Sequence, residues 1–305
     1  MREDRQSDLE ELRIGPVTVL FGESRGKYPS GNSLLVEGSR ASILIDPSLG
    51  LLPRRSQLPT PDRVLHSHCH EDHIAGSHLF PDTPWHFHEL DLPGIHSLDA
   101  MMAIYGFAPA IDSAFRKAVL EQFHYHARPD ALAFRGGDVF DVGDTRVEVL
   151  HTPGHTRGHC CFLVEWDGGS LLYVGDIDLS SFGPYYGDAW SSLEDFEVSL
   201  ARVREIRADH YATFHHVGVL SGRAAFLERL DLYAAVIDSR EERLLAYLEE
   251  PHDLDDIAAH RFVYRPKDPV PFAEAVERRS MAQHVERLVK RGAVELARGR
   301  YRAAG

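Results

Sequence analysis

Along the first half of the chain, short apolar runs alternate with Gly- and Pro-containing turns. Val17-Thr18-Val19-Leu20-Phe21, Ser33-Leu34-Leu35-Val36 and Ala41-Ser42-Ile43-Leu44-Ile45 are strand-sized and turn-bounded, so they predict a meander. Arg63-Val64-Leu65 adds another strand end, and residues 74–80 can begin a helix behind it. Over residues 98–126 the spacing becomes helical, with Met101, Met102, Tyr105, Ala118, Val119 and Phe123 as the apolar positions. That stretch reads as a packing helix or as a lid over a cleft. Strand patterns return at Val139-Phe140-Asp141-Val142, Val147-Glu148-Val149-Leu150, Cys161-Phe162-Leu163-Val164 and Leu171-Leu172-Tyr173-Val174. A helix over 193–206 and a short strand ending at Phe214 follow. Two strand-rich halves that each finish in histidines or carboxylates predict two sheets whose edges meet at one site.

The pattern changes after about residue 230. A helix over 239–248, a short helix over 253–260 and a longer one over 273–291 lead into a hairpin-like pair, Ala293-Val294-Glu295-Leu296 and Gly299-Arg300-Tyr301-Arg302. This order resembles a winged helix. The expected division is therefore a first domain over 1–230 and a small C-terminal domain over 231–305. Of the net charge of −14, nearly all belongs to residues 1–230, which disfavours a polyanionic partner such as nucleic acid or an anionic membrane. In the third helix of the tail, Arg278, Arg279, His284, Arg287, Lys290 and Arg291 are interleaved with Glu274, Glu277 and Glu286, a solvated face rather than a DNA-binding one.

The run His68-Cys69-His70-Glu71-Asp72-His73 carries the chemistry. In an extended segment alternate side chains point the same way, so His68 and His70 can reach one ion while Cys69 points away. Thr152-Pro153-Gly154-His155 supplies a sharp reversal that can bring a third imidazole to the same ion. Three imidazoles with one open position suit a catalytic zinc. Asp72 and His73 lie past the strand end and can address a second ion. Asp176, in Gly175-Asp176, can bridge the two ions with its two oxygens. His215, in Phe214-His215-His216-Val217-Gly218, would complete the second site, with His216 as the alternative. Two metals roughly 3.5 to 4 Å apart can lower the pKa of a bridging water from about 15.7 toward 7. Asp72 is then the candidate catalytic carboxylate that orients the resulting hydroxide, and His159 a supporting residue that fixes the site. The other histidines lack such partners: His86-Phe87-His88 reads as a surface strand, and His66, His78, His96, His124 and His126 as surface or packing residues. The Gly/Pro loop Ser180-Ser181-Phe182-Gly183-Pro184-Tyr185-Tyr186-Gly187 should overhang the metals, with Tyr185 or Tyr186 offering a hydroxyl to substrate. Lys27, Tyr28 and Asn32 are candidates for the cleft border.

Taken in order, these motifs resemble the metal-binding signature of the metallo-β-lactamase superfamily over about residues 15–220. The resemblance implies an α/β fold, a four-layer αβ/βα sandwich with two metals at the edge between two sheets, held by His68, His70, Asp72, His73, His155, Asp176 and His215. The last motif departs from the usual Gly-His-Gly. The implied activity is that of a zinc-dependent hydrolase with two ions per chain, using a metal-bridging hydroxide on a small thioester, as in glyoxalase II, or on a lactone. Iron or manganese suits the same donors. The tail is similar to a C-terminal winged-helix-like domain of the glyoxalase-II-like branch, some members of which cleave single-stranded RNA. An RNA phosphodiesterase is thus one alternative expectation, and an iron-dependent persulfide dioxygenase with a single metal is another.

Three cysteines, two of them adjacent, offer no disulfide framework. The charged first residues lack the apolar core of a secretory signal, and no apolar run approaches the roughly 20 residues that span a bilayer. The expectation is a cytoplasmic enzyme acting on a small-molecule substrate, away from membranes, with a homodimer left open.

Overall fold

A computed structural model describes residues 10–304. Strands β1 (Glu11–Ile14), β2 (Val17–Leu20), β3 (Ser33–Glu37), β4 (Ser42–Ile45), β5 (Arg63–Leu65), β6 (Trp85–His88) and β7 (Leu132–Phe134) form one sheet in chain order. It is antiparallel as far as β4 and parallel from β4 to β7. Between these strands lie the helices α1 (Glu71–Ile74), α2 (Leu92–His96), α3 (Leu98–Tyr105) and α4 (Pro109–Glu121). The second sheet holds β8 (Val139–Asp141), β9 (Thr145–His151), β10 (Cys160–Trp166), β11 (Gly169–Tyr173), β12 (His210–Ala212) and β13 (Val219–Ser221), in the order β13-β12-β11-β10-β9-β8. Helix α5 (Leu193–Glu205) makes the crossover between the parallel neighbours β11 and β12.

Period-two alternation explains the layers. Val17 and Val19, Leu34 and Val36, and Ile43 and Ile45 point inward, against Val147, Val149, Phe162, Val164, Leu171 and Tyr173 of the second sheet. The intervening Leu20, Leu35 and Leu44 point outward, into a second core with Ile95, Met101, Met102 and Val119 of α2–α4. On the other side Leu150, Cys161 and Leu172 pack with Phe196, Leu200 and Val203 of α5. Strands buried on both faces become continuous apolar runs, and the result is the expected helix–sheet–sheet–helix order.

Helix α6 (Arg223–Tyr247) begins well before the expected 239–248 and runs through residue 230. Its first half, through Phe226, Leu230, Tyr233 and Ile237, serves the core under α5. Leu244 instead joins a separate cluster with Leu248, Ile257, Met281, Val285, Leu288 and Val294. Helix α7 (Leu254–His260) starts at a capping box between Asp253 and Asp256, helix α8 (Ala273–Lys290) follows, and β14 (Val294–Ala297) pairs with β15 (Arg300–Ala303). The tail therefore has the expected order of helix, short helix, helix and hairpin.

Elsewhere the structure departs from the sequence pattern. The helical stretch over 98–126 is broken at Gly106, which adopts φ 59°, and Pro109 opens the next helix. Of the helix expected over 74–80 only α1 and a single 3-10 turn at Ser77–Leu79 form. β1, β7 and β13, each of three or four residues, had no pattern long enough to read. The strand expected at the surface, His86-Phe87-His88, is β6 and lies inside: its residues are 7%, 0% and 3% exposed. A parallel strand between β5 and β7 has both faces covered, whatever its polarity. Among the described residues no helix is long and apolar enough to cross a membrane.

Candidate metal centre

Every candidate donor sits just beyond the C-terminal end of a strand, on the edge where the two sheets meet. His68 and His70 follow β5, with Asp72 and His73 in α1; His155 follows β9, Asp176 follows β11 and His215 follows β12. Two glycines permit the approach. Gly154 has φ 134°, and a Cβ there would lie 2.4 Å from the Phe196 backbone nitrogen. Gly175 has φ 52°, and a Cβ there would lie 2.7 Å from His159 Nε2.

The donors converge as two groups, His68, His70, His155 and Asp176, and Asp72, His73 and His215, with the ligand atoms of each group within 4.8 Å of one another. His70 Nδ1 lies 3.0 Å from His68 Nε2 and 2.9 Å from His155 Nε2. Asp176 joins the groups: Oδ2 is 3.1 Å from His155 Nε2 and Oδ1 is 2.9 Å from His73 Nε2. His215 Nε2 is 3.0 Å from Asp72 Oδ2. His216, at φ 60°, is exposed and outside both groups, and His215 is the histidine of that motif that joins one of them.

The outward-facing nitrogens fix which lone pairs look inward. His155 Nδ1 donates to the Tyr185 carbonyl at 3.0 Å, His215 Nδ1 to the Gly26 carbonyl at 2.6 Å and His73 Nδ1 to Asp46 Oδ2 at 2.9 Å. Each of these turns Nε2 inward, where it can serve as a metal ligand once it gives up its proton. The Ser67 hydroxyl donates to Asp46 Oδ2 at 2.5 Å, so it accepts from His68 Nδ1 at 3.0 Å, and His68 Nε2 also faces inward with its lone pair. His159 plays the supporting part expected of it. Nδ1 donates to the Thr152 carbonyl at 3.0 Å and Nε2 accepts the Asp176 backbone N–H at 3.2 Å; burial pushes its imidazole down to about 3.

A divalent cation fits this arrangement. Among the described residues His73 Nε2 and Asp176 Oδ1 are buried without a hydrogen-bond partner, as are His70 Nε2 and Asp188 Oδ2. Burial disfavours charge on the His215 ring, yet Asp176 and Asp72 outweigh it and hold that imidazole up at about 9. A cation in the cluster would take the place of such protons.

A profile of the metallo-beta-lactamase superfamily matches residues 27–237. The chain belongs to this superfamily. It is similar to the acyl-coenzyme A thioesterase MBLAC2 of Bos taurus, 26% identical over 215 residues that cover 61% of this chain and 76% of the relative. It is also similar to a hydroxyacylglutathione hydrolase of Maricaulis maris, 38% identical over 162 residues, covering 50% of this chain and 60% of the relative. In structure it resembles a metallo-beta-lactamase family protein from Thermus thermophilus, with a TM-score of 0.70 at 22% identity over 95% of this chain and 99% of that one. The superfamily fold thus carries a metal-dependent hydrolase's donor set.

Carboxylates that the sequence reading missed support this superfamily site. Asp46, fully buried at a φ of 46° after β4, accepts from Ser67 N at 2.7 Å, Ser67 Oγ, His73 Nδ1 and the Tyr173 hydroxyl at 2.6 Å. Asp91 accepts from Cys69 N, Thr156 Oγ1 and Gly158 N, which ties the first histidine loop to the His155 loop. Asp188 Oδ2 lies 3.1 Å from His70 Nε2. Asp46 had a signal, since it closes an apolar strand as the donors do; Asp91 and Asp188 had none.

Above the donors opens a cavity of about 710 Å³. Tyr28 borders it and donates to Glu71 Oε1 at 2.9 Å, whereas Lys27 does not line it. Asn32 is not at the cleft: it is fully buried and staples the sheets, donating to the Arg25 and Thr213 carbonyls. Tyr185 lines the cavity, but its hydroxyl is committed to Asp188 Oδ1 at 3.0 Å. Tyr186 faces away from it. Its hydroxyl, on a residue 1% exposed, meets His284 Nε2 at 2.8 Å and Arg240 Nη1 at 2.9 Å, because α6 and α8 draw that ring into their own interface.

Proposed function

We propose that the protein is a thioester hydrolase that holds two zinc ions through His68, His70, His155, Asp176, Asp72, His73 and His215. The observation that carries the reading is the pair of donor groups sharing Asp176 on the floor of the cavity. Two relatives, a thioesterase and a hydroxyacylglutathione hydrolase, support the thioester as the bond cleaved. Ions held by these donors would supply Lewis acidity, lowering the pKa of the attacking water and polarising the thioester carbonyl.

The chain's own groups supply position and proton traffic. Asp72 lines the cavity with Oδ2 toward His215 Nε2, and there its carboxylate would accept a hydrogen bond from the attacking water and orient it. Asp46, Ser67 and His159 hold the donors in the tautomers and ring orientations that face the site. RNA cleavage is disfavoured by the same walls. Besides the proposed ligands, Glu71, Asp178 and Asp188 line the cavity, and among the described residues no Lys or Arg does. Two separate donor groups likewise favour a hydrolytic pair over the single iron of a dioxygenase.

The test is metal content together with hydrolysis of simple acyl thioesters. About two zinc ions per chain, turnover, and its loss in a folded His68→Ala variant support the reading. A metal-loaded protein that cleaves no thioester overturns it.

A further inference from the structure

We infer that the acyl part of the substrate is a sizeable apolar group, seated against an aromatic wall that the C-terminal helices help to build. This rests on the thioester reading and adds the class of acyl group. Besides the candidate donors, the cavity is lined by Phe107, Phe115, Phe182, Tyr264, Val270 and Phe272. One of these comes from the link between α3 and α4, one from α4 itself, one from the loop after Asp176, and three from the segment between α7 and α8.

The rings form a continuous path from a metal donor to the C-terminal segment. The His70 imidazole stacks on Tyr105 at 5.2 Å, and Tyr105 meets Phe115 edge-on at 4.7 Å. Phe107 lies 5.3 Å from Phe115 and stacks on Phe272 at 5.4 Å, while Phe182 lies 5.5 Å from Tyr264. None of the six wall residues is fully buried. Apolar faces turned into a cavity of this size leave hydration that an apolar ligand would displace.

The wall is built in advance. Glu277, fully buried, accepts the backbone N–H groups of Phe262, Val263 and Tyr264, with 2.6 Å to the last. Arg279 of α8 donates to the Tyr105 carbonyl at 2.6 Å and to the Gly106 carbonyl, which fixes α8 against the end of α3. Charge decides the direction in which substrate enters. Glu71, Asp178 and Asp188, none of them a proposed metal ligand, line the cavity with no described Lys or Arg, so a carrier bearing phosphate or carboxylate stays toward the opening and the apolar acyl group goes in.

The experiment measures kcat/KM on the acetyl, hexanoyl and decanoyl thioesters of N-acetylcysteamine, a neutral carrier, with the zinc-loaded full chain. The expected rise from acetyl to decanoyl is at least about 100-fold, well under the ceiling of about fourfold per buried methylene. Phe272→Ala removes part of the wall and should lower the decanoyl-to-acetyl ratio about 10-fold or more. Val270→Trp, which fills the cavity instead, should lower it too, with thermal unfolding read alongside both variants. Equal kcat/KM for acetyl and decanoyl overturns this inference and leaves the thioester reading standing. Turnover of none of the three removes that reading and this inference with it.

Discussion

Nε2 of His73 lies 2.9 Å from Oδ1 of Asp176, yet the two atoms are not aligned for a hydrogen bond, and among the described residues neither has another partner. Buried polar atoms left this way are rare because each costs roughly 1–3 kcal/mol. Two ligands of one ion would be left this way in the absence of other partners. Asp176 also reaches His155 with its other oxygen, so one carboxylate serves both donor groups.

That sharing makes the two groups separable by mutation. Asp176→Ala should lower the metal content of both groups, with turnover falling by more than the ~100-fold seen for residues that merely support ligands. His215→Ala should lose one ion and retain the other. Elemental analysis of each purified variant, beside its thioester turnover, checks the pair; equal metal loss in the two variants would contradict the shared role.

Asp46 is the hub beneath the site. Asp46→Ala would leave Ser67 N–H, Ser67 O–H and the Tyr173 hydroxyl buried without their acceptor, a loss of roughly 3 kcal/mol or more. It also frees His73 Nδ1, so metal affinity should fall about 10- to 100-fold. Urea unfolding and zinc titration read the two effects separately.

His88 makes stability depend on pH. Burial and then the neighbouring His151, stacked at 4.0 Å, lower its imidazole to about 4 in the folded protein. In the unfolded chain the ring takes up a proton near its ordinary ~6.5. Stability is therefore full above about 6.5 and is lost as pH falls from there toward 4. The loss at pH ~5 should be about 1 kcal/mol after solvent screening. His88→Phe, which keeps the ring stack, should flatten that part of the profile; an unchanged profile would contradict the assignment.

Arg240 fastens the loop that borders the cavity. Only 1% exposed, it donates to the Pro184 carbonyl at 2.6 Å, the Phe182 carbonyl at 2.8 Å and the Tyr186 hydroxyl at 2.9 Å. Arg240→Met keeps most of the volume but abandons these acceptors, so the protein should lose about 3 kcal/mol or more. Limited proteolysis should then cut near residues 180–187 sooner than in the parent.

The candidate donors were legible because chemistry compresses them: six residues carry His68, His70, Asp72 and His73, and His155, Asp176 and His215 each follow a readable strand. Asp91 and Asp188 were not, since a single carboxylate has no local pattern and gains its partners only when distant loops meet. His86 and His88 misled for a related reason. A polar strand looks solvent-facing until a second sheet and helices cover it. The same holds for α6, whose first half packs on the second sheet while its end packs with α8, so no change of composition marks its start. Tyr186 sits next to Tyr185 in the sequence, but Arg240 and His284 pull its ring to the opposite side of the loop.

The most direct test of the proposed dinuclear centre is the zinc content of the purified protein, measured by elemental analysis against protein concentration. The arrangement of His68, His70, His155, Asp176, Asp72, His73 and His215 predicts two ions per chain, bound tightly enough to survive desalting and removed together with thioester turnover by a chelator. A chain that binds no divalent metal, or that hydrolyses thioesters at full rate once stripped, would contradict it.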